Sequence, residues 1–287
     1  MKFGKFAIHS VSDGFFRLDG GAMFGVVPRV LWEKTNPPDD KNRILLGLNP
    51  LLIITEHKKI LVDTGISNKG DEKFNAMFAV DRRPTLEESL SKLKLSASDI
   101  DIVVNTHLHW DHAGGNTTKD ADGKIRPTFP KARYIIQKGE WEDAIKPNER
   151  TRASYRQEDF LPIQESGQME LIEGEQEIEK GIKIIKIPGH NRHFQTVIFS
   201  SEGKTGLYLG DLIPTIAHIS YPYIMGYDLF PLETLEAKKN IIQKAAQENW
   251  LLIFEHDPQV RMGYVRMEDG KPVLKEEVNP VRKSSLF

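Results

Sequence analysis

Three histidines and one aspartate lie within six positions of the segment NTHLHWDHAGGN. They are His107, His109, Asp111 and His112, and they form the pattern H-x-H-x-D-H directly after the apolar run DIVV. Two imidazoles leaving a strand end can point at one position, and the next two side chains can reach a second position nearby. Imidazole and carboxylate ligands suit zinc, and also iron, cobalt or manganese. The pattern predicts a metal site, with a surface histidine cluster as the alternative.

Three further apolar runs end in a residue that can bind a metal. IKIIKIPGH, GLYLGD and LLIFEH offer His190, Asp211 and His256 respectively. Taken alone, each of these residues is typical of a cap or a turn that follows a strand. Together they are the polar ends of strands, where a sheet presents ligands to a shared cleft. Their joint appearance favours a second set of ligands that completes the site.

The composition limits the remaining possibilities. The chain has 287 residues, of which 39% are hydrophobic and 28% are charged, and its net charge is −2. No global positive field is available for a nucleic acid or an anionic membrane, so we expect neither as a partner. Cysteine is absent, which excludes disulfides and thiolate ligands and is compatible with a reducing cytoplasm. The first residues lack the apolar core of a secretion signal, so we expect a cytoplasmic protein.

Alternating apolar runs and glycine- or proline-containing breaks predict mixed sheets covered by helices. We expect strands at 44–57 and 59–66 joined by a tight turn, and a buried strand at 99–107. Helical spacing predicts a short helix at 85–93 and the longest helix at 232–250. The polar stretch 143–180 is predicted to be a surface insertion with a helical piece. One domain over residues 1–287 is the simplest organisation.

The order of these motifs resembles that of the metallo-β-lactamase-fold hydrolases. The resemblance spans nearly the whole chain: LVDTG, then H-x-H-x-D-H, PGH, a single aspartate and a late histidine. It implies an α/β fold of four layers, an αββα sandwich, with the site at one edge of the two sheets. It also implies two divalent ions, with zinc as the first expectation. The implied ligands are His107, His109 and His190 for the first ion, Asp111, His112 and His256 for the second, and Asp211 for both. Asp63 would steady the ligand loop through hydrogen bonds, unless it is an ordinary turn residue.

Within this superfamily the chain resembles the Bacillus-type N-acyl-homoserine lactone lactonases, which quench quorum sensing. The stretches that carry this resemblance are HLHWDHAGGN, LDGGAMFGVVPRVLW and GDLIPT followed by YD. The resemblance implies a small-molecule lactone or ester as the substrate, opened by an activated water with Asp111 as a proton shuttle. A homodimer is compatible with it. The alternatives are an organophosphate or aryl-ester hydrolase of the same fold and a metal-binding module without turnover.

Two departures from the family pattern affect the predicted site. The usual PGHTxGH reads PGHNRHF, which places His193 and Phe194 where the family has glycine and histidine. The tyrosine usually found three residues after the bridging aspartate is Pro214 here. We therefore expect another side chain to polarise the substrate carbonyl, and His218 is the nearest candidate in sequence. The alternative is that His218 caps a turn, in which case Tyr221, Tyr223 and Tyr227 are the next candidates.

The segment GGAMFGVVP contains an apolar patch flanked by glycines. Met23 and Phe24 belong to this patch and could bind the acyl chain of a substrate as a mobile lip. The alternative is that the segment is a hairpin that packs on the core. The sequence does not decide between these two interpretations.

Overall fold

A computed structural model describes residues 1–278, so residues 279–287 of the predicted domain lie outside the described part of the chain. The strands β1 to β18 are, in order, Lys2–Phe3, Phe6–Ser10, Phe15–Asp19, Arg43–Gly47, Leu51–Ile54, Lys59–Val62, Ile102–Val104, Thr117–Lys119, Ile125–Pro127, Arg133–Gln137, Met169–Ile172, Gln176–Glu179, Ile182–Lys186, Gln195–Ser201, Lys204–Tyr208, Leu251–Ile253, Met262–Glu268 and Lys271–Val278. The helices α1 to α8 are Gly20–Phe24, Arg29–Trp32, Glu72–Phe78, Leu86–Lys92, Trp110–Ala113, Lys138–Ile145, Leu161–Glu165 and Pro231–Glu248. Short 3₁₀ turns are formed by Ala97–Asp99, Gly114–Asn116, Gln157–Asp159, Gly210–Leu212 and Ile216–Ile219.

Two seven-stranded mixed sheets contain most of the strands. The first has the order β1-β2-β5-β6-β7-β10-β11, and the second has the order β12-β13-β14-β15-β16-β17-β18. In the first sheet β6, β7 and β10 are parallel, and in the second β15 and β16 are parallel. Parallel neighbours end at the same edge of a sheet, so the loops that follow these strands meet there.

The two sheets pack face to face through a shared apolar core. Alternation along the strands sends every second side chain inward, as Leu51 and Ile53 of β5 illustrate. Facing them from the second sheet are Ile184, Val197 and Ile253, all fully buried. This shared core explains why a strand such as LLII of β5 is continuously apolar, because both faces of the sheets are covered.

Helices cover the outer face of each sheet. On the first sheet Leu52 of β5 packs against Leu90 of α4, whose start is fixed by the reciprocal capping box of Thr85 and Glu88. On the second sheet Leu252 of β16 packs against Ile242 of α8. The predicted four-layer αββα sandwich is therefore confirmed. No helix among residues 1–278 has both the length and the apolar character that crossing a bilayer requires.

Two sequence-based expectations are wrong. The run 44–57 is not one strand but β4 and β5, which belong to different sheets, because Asn49 and Pro50 interrupt it. The Asn49 amide instead donates to the carbonyl oxygens of Phe254 and Asp257, which ties this break to the second sheet. The stretch 143–180 is more than an insertion with a helical piece, because it also contains the edge strands β11 and β12.

Candidate metal centre

The parallel strands of both sheets deliver the predicted ligands to one edge of the sandwich. His107 and His109 follow β7, and the single helical turn α5 carries Asp111 and His112. From the second sheet, Asp211 follows β15 at the edge where His256 follows the parallel strand β16. His190 comes from the loop between β13 and β14. The structure therefore brings together all seven predicted ligands, which are His107, His109, Asp111, His112, His190, Asp211 and His256.

The first cluster consists of three imidazole nitrogens and one carboxylate oxygen. His107 Nε2 lies 2.9 Å from His109 Nδ1, which lies 3.2 Å from His190 Nε2. Asp211 Oδ2 lies 3.2 Å from His190 Nε2 and 3.8 Å from His107 Nε2. Ligand atoms at the usual zinc distances around a tetrahedral ion are about 3.4 Å apart. These spacings suit one divalent ion.

The second cluster is formed by Asp111, His112 and His256, together with the other oxygen of Asp211. His112 Nε2 and His256 Nε2 lie 3.1 Å apart. Asp111 Oδ2 lies 3.9 Å from the former and 3.8 Å from the latter. Asp211 Oδ1 lies 3.3 Å and 3.1 Å from the same two nitrogens. One carboxylate thus contributes an oxygen to each cluster.

Hydrogen bonds on the outer side of three histidines show which nitrogen is free for an ion. The Nδ1 atoms of His112, His190 and His256 each lie 2.9 Å from an acceptor: Asp63 Oδ2, Asp228 Oδ1 and the Gly47 carbonyl oxygen. Carboxylates and carbonyls accept only, so each Nδ1 carries the proton and each Nε2 turns a lone pair inward. Facing lone pairs repel unless a cation lies between them. Within residues 1–278, the buried Asp211 Oδ1 also has no hydrogen-bond partner. The residues present therefore fit metal ions at both clusters.

Asp63 holds the ligand loop from behind. Its Oδ1 accepts from Thr106 N at 2.7 Å, and its Oδ2 accepts from Thr106 Oγ1 at 2.8 Å as well as from His112. Thr106 Oγ1 in turn accepts from His107 Nδ1 at 2.9 Å. The φ of Asp63 is +58°, a left-handed conformation that a non-glycine residue rarely adopts. These contacts support the predicted role of Asp63, which steadies one ligand of each cluster.

The protonation states favour a cation at some ligands and a proton at others. Burial works against protonation of His112 and His190, but Asp211 and the neighbouring carboxylates raise the pKa of both imidazoles, so a proton competes with a cation there. Burial works against ionisation of Asp211, but the imidazoles of His112 and His190 hold the pKa of its carboxyl well below the ordinary value. Burial and the neighbouring imidazoles lower the pKa of His107 well below its usual value. An ionised carboxylate and a neutral imidazole are the forms that bind divalent metals.

A cavity of about 490 Å³ opens above the clusters. Its floor includes five of the ligands: His109, Asp111, His190, Asp211 and His256. One wall is apolar and is formed by Leu18, Met23, Phe78, Met225 and Leu229, and the other parts are lined by Arg150, Thr151, Ser154 and Tyr227. A small organic molecule with an apolar arm fits such a cavity.

The two residues of the predicted lip have different surroundings. Met23 lines the cavity, whereas Phe24 is fully buried and does not line it. The Phe24 ring stacks on Trp32 at 5.1 Å and on His218 at 4.8 Å. The segment is also not a hairpin, since it forms the helix α1 and then leads into α2. Phe24 therefore packs in the core, and only Met23 remains a candidate for substrate contact.

The structure does not bring His218 to the cavity, so the prediction that His218 donates a hydrogen bond to the substrate is wrong. His218 is 1% exposed, and its Nδ1 lies 2.7 Å from Thr215 Oγ1 while its Nε2 lies 2.9 Å from the Met23 carbonyl oxygen. Both nitrogens are occupied, and burial lowers the pKa of this imidazole to about 3. Neutral His218 therefore anchors the lip segment and has no N–H left for a substrate.

Tyr227 is the tyrosine of this region that lines the cavity. Its pKa is raised to about 12 by burial and by the carboxylates of Asp111, Asp19 and Asp211, so its hydroxyl is a proton donor at neutral pH. The Leu229 N–H donates to the His190 carbonyl oxygen at 2.9 Å, which holds this segment against a ligand loop. Tyr221 and Tyr223 do not line the cavity and pack in apolar clusters instead.

The unusual residues after His190 leave the ligand undisturbed. Phe194 is fully buried, and its ring centroid lies 5.6 Å from that of His107 and 6.2 Å from that of His190. His193 turns the other way, towards Gly139, where its imidazole occupies the space that a Cβ atom would need. The substitutions therefore change the packing beside the first cluster and add no ligand to it.

Two residues that support the site were not predicted from the sequence. Asp228 orients His190, and the YD pair that contains it was noted only as a feature of the lactonase resemblance. Glu140 is buried and accepts from the Leu108 N–H at 2.8 Å, between His107 and His109. Nothing in the pattern KGEWEDAI separates Glu140 from the exposed acidic residues of the same helix. Only the tertiary structure reveals its role.

A four-layer αββα sandwich with two adjacent histidine–carboxylate clusters at its edge is the framework of a metal-dependent hydrolase. The profile of the metallo-beta-lactamase superfamily matches residues 45–256, and the chain belongs to that superfamily. The family predicted from the motifs is confirmed, and the chain is a metallo-hydrolase related to named lactonases.

Similar proteins agree with this assignment. The N-acyl homoserine lactonase of Bacillus cereus is 27% identical over 223 residues, which cover 74% of this chain and 82% of that protein. A probable metal-dependent hydrolase from Staphylococcus aureus is 31% identical, with a TM-score of 0.88 over 97% of this chain and 100% of that one. AidC, a dizinc quorum-quenching lactonase, shares the fold at 22% identity, with a TM-score of 0.79 over 97% and 96% of the two chains.

Proposed function

We propose that this protein is a dinuclear metal-dependent lactonase that opens the ring of N-acyl-homoserine lactones. The observation that carries the proposal is the division of Asp211 between two ligand clusters on the floor of a partly apolar cavity. A carboxylate shared in this way would hold two ions close together, an arrangement that would suit hydrolysis at a single carbonyl. The relation to curated Bacillus lactonases supports a lactone as the substrate.

Zinc is the proposed metal at both positions. The ligands are imidazole nitrogens and carboxylate oxygens, a set that also accepts iron, cobalt or manganese. Two bound ions supply Lewis acidity and can lower the pKa of a water molecule from 15.7 to about 7. The first position would be held by His107, His109 and His190, the second by Asp111, His112 and His256, and Asp211 would serve both.

The other residues of the cavity orient the lactone and handle its protons. Asp111 belongs to the second cluster and also lines the cavity, so its carboxylate can pass a proton from the attacking water to the leaving alkoxide. We assign to the Tyr227 hydroxyl the hydrogen bond to the substrate carbonyl that the sequence predicts for His218, because Tyr227 lines the cavity and His218 does not. Met23 and Leu229 exclude water and contact the acyl chain.

A substrate panel tests the proposal. Zinc-loaded protein is incubated with N-acyl-homoserine lactones of several chain lengths, simple alkyl lactones, an aryl ester and an organophosphate triester, and kcat/KM is measured for each. We expect the acyl-homoserine lactones to rank first. A higher kcat/KM for the aryl ester or the triester than for every lactone would overturn the lactonase assignment and identify the alternative hydrolase.

Metal analysis tests the dinuclear part of the proposal independently. We expect close to two ions per chain after metal addition and removal of excess ion. A ceiling of one ion per chain would contradict the shared role of Asp211. Loss of bound metal and of lactonase activity on chelation, with both restored by zinc, is the expected companion result.

A further inference from the structure

Arg150 places a cationic side chain at the cavity that contains the ligand clusters. Its guanidinium Nη2 donates to the Gly226 carbonyl oxygen at 2.8 Å, across from the turn that carries Arg150. Among residues 1–278, no carboxylate oxygen lies within 4.0 Å of this guanidinium. A guanidinium has five N–H donors, so most of them remain available to a ligand in the cavity.

The turn that carries Arg150 is held in place on its own side. Asn148 Oδ1 accepts from Arg150 N at 2.9 Å and from Thr151 N at 3.2 Å. The Arg152 N–H donates to the Asn148 carbonyl oxygen at 3.0 Å. The backbone of this turn therefore has a defined conformation although its side chains are exposed.

The same turn is fastened to the metal-ligand loop. The Trp110 N–H, between His109 and Asp111, donates to the Ser154 carbonyl oxygen at 3.0 Å. Tyr155 forms an isolated antiparallel bridge with His109, and the ring centroids of the two side chains are 5.0 Å apart. These contacts fix the position of Arg150 relative to the reacting centre.

The surroundings define the chemistry that Arg150 would recognise. The cavity is lined by apolar side chains on the Met23 side. The Gly226 carbonyl oxygen takes only part of the donor capacity of the exposed Arg150 guanidinium, so a substrate oxygen can replace water on the remaining donors. An acyl-homoserine lactone carries an amide carbonyl next to its ring and an apolar chain beyond it. The guanidinium matches such an oxygen with a charge-assisted hydrogen bond, while the apolar wall receives the chain.

We propose that Arg150 binds the amide carbonyl oxygen of the substrate and selects acylamino lactones over plain alkyl lactones. The inference rests on the proposed lactonase function and deepens it, because it assigns recognition of the side arm to a residue remote from the ligand set. Arg150 is a specificity-determining residue in this scheme. It contributes to substrate binding and not to the bond-breaking step.

The test compares two substrates and two variants. The substrates are N-hexanoyl-homoserine lactone and γ-decalactone, which share the five-membered ring, but only the first has the amide. The variant is Arg150→Gln, and Arg152→Gln is the matched control, since Arg152 is exposed two residues away and does not line the cavity. A charge-assisted hydrogen bond is worth about tenfold or more in affinity, so the loss should appear in KM.

We expect Arg150→Gln to raise KM for N-hexanoyl-homoserine lactone about tenfold more than for γ-decalactone, with kcat nearly unchanged. Calorimetry with the ring-opened product N-hexanoyl-homoserine should show the same weakening without any turnover. Arg150→Lys should restore part of the affinity, and Arg152→Gln should resemble the wild type in both measurements.

Two other results have distinct meanings. Equal losses on both lactones, together with a lowered Tm, would show that Arg150 only ties its turn to Gly226, and the inference would be overturned while the lactonase assignment stands. Failure of the wild-type protein to turn over either lactone would overturn the proposed function and the Arg150 assignment with it.

Discussion

The floor and the walls of the cavity are built in different ways. On the floor, the outer nitrogens of His112, His190 and His256 are each held by a buried acceptor at 2.9 Å. The walls come from loops and short helices, and their side chains range from the buried Met23 to Tyr227, which is 37% exposed. The floor is a single network that tolerates little change. The walls are separate pieces that contact the floor through backbone hydrogen bonds, so their side chains can vary without disturbing it.

Because of this difference, we expect the floor to govern the rate of the reaction and most of the wall to govern the choice of substrate. A residue of the floor acts through the position of an ion, so its loss should affect every substrate. A residue of the wall acts through the part of the substrate that it contacts, so its loss should depend on which substrate is offered. Tyr227 is the exception, because the carbonyl assigned to it is common to all lactones. Substitutions in the two regions therefore test the comparison directly.

The largest effect is expected from Asp211→Asn. An amide cannot supply two anionic oxygens, so the shared ligand is lost, and kcat should fall by about 10³-fold or more for all substrates. Metal analysis should find fewer than two ions per chain. Asp122→Asn, at an exposed turn, is the control for a charge change alone. An active Asp211→Asn variant with two ions per chain would show that Asp211 is not an essential shared ligand.

Tyr227→Phe should have the next largest effect. Loss of one donor to a developing oxyanion typically costs about 10²–10³ in kcat, and the metal content should not change. Tyr221→Phe is the matched control, because the Tyr221 hydroxyl is buried and has no hydrogen-bond partner in the described part of the chain, residues 1–278. A kcat within threefold of the wild type for Tyr227→Phe would show that the Tyr227 hydroxyl does not polarise the substrate carbonyl.

Asp228→Ala should weaken metal binding without removing a ligand. His190 Nδ1 would lose its acceptor, and loss of such a partner typically costs about 10–100-fold in metal affinity. Competition with a chelator measures this affinity, and Asp228→Asn should lie between the alanine variant and the wild type because it keeps one acceptor oxygen. Unchanged affinity in Asp228→Ala would show that the floor tolerates loss of an orienting carboxylate.

Met23→Ala and Phe24→Ala should behave differently although the residues are neighbours. Met23 lines the cavity, so its truncation should raise KM for long-chain lactones by about 5–10-fold and for short-chain lactones much less. Phe24 is enclosed by Trp32 and His218, so its truncation should lower stability by about 3–5 kcal/mol with no preference for chain length. Chain-length selectivity in Phe24→Ala would restore the original lip hypothesis.

The smallest effect on turnover is expected from His218→Gln. Its imidazole forms hydrogen bonds with the Met23 carbonyl oxygen and with Thr215 Oγ1. The variant should therefore lose about 1–3 kcal/mol of stability while kcat stays near the wild-type value. Thermal unfolding and steady-state kinetics on the same preparation separate the two quantities. A fall in kcat by two orders of magnitude with an unchanged Tm would contradict the anchoring role.

The ligands could be predicted from the sequence because their signal is local. Each follows a short apolar run, and in a sheet covered on both faces the first polar residue after a strand lies at the edge. His190 and Asp211 follow this rule, whereas Glu255 precedes His256 in LLIFEH. The division of the candidate ligands between two ions came from the family resemblance.

The walls could not be predicted in the same way. His218 and Tyr227 both lie in the loop that follows Asp211, and sequence distance favoured His218, which the structure places outside the cavity. What decides between them is packing: the Phe24 ring covers His218, whereas the hydrogen bond of Leu229 to His190 sets Tyr227 over the cavity. Likewise, Asn49 divides one apolar run between two sheets through contacts with residues more than 200 positions away. Such long-range contacts cannot be predicted from the hydrophobic periodicity of the sequence.

The division of Asp211 between the clusters has a consequence for how the protein acquires its ions. A cation on one side fixes the rotamer of the carboxylate and so lowers the entropy that the second cation must overcome. Loading should therefore be cooperative, with chains that carry either no ion or two and few that carry one. By the reciprocity of linkage, a chelator that withdraws one ion also loosens the other. Inactivation by chelators should accordingly be steep, close to an all-or-none response to the free-metal concentration.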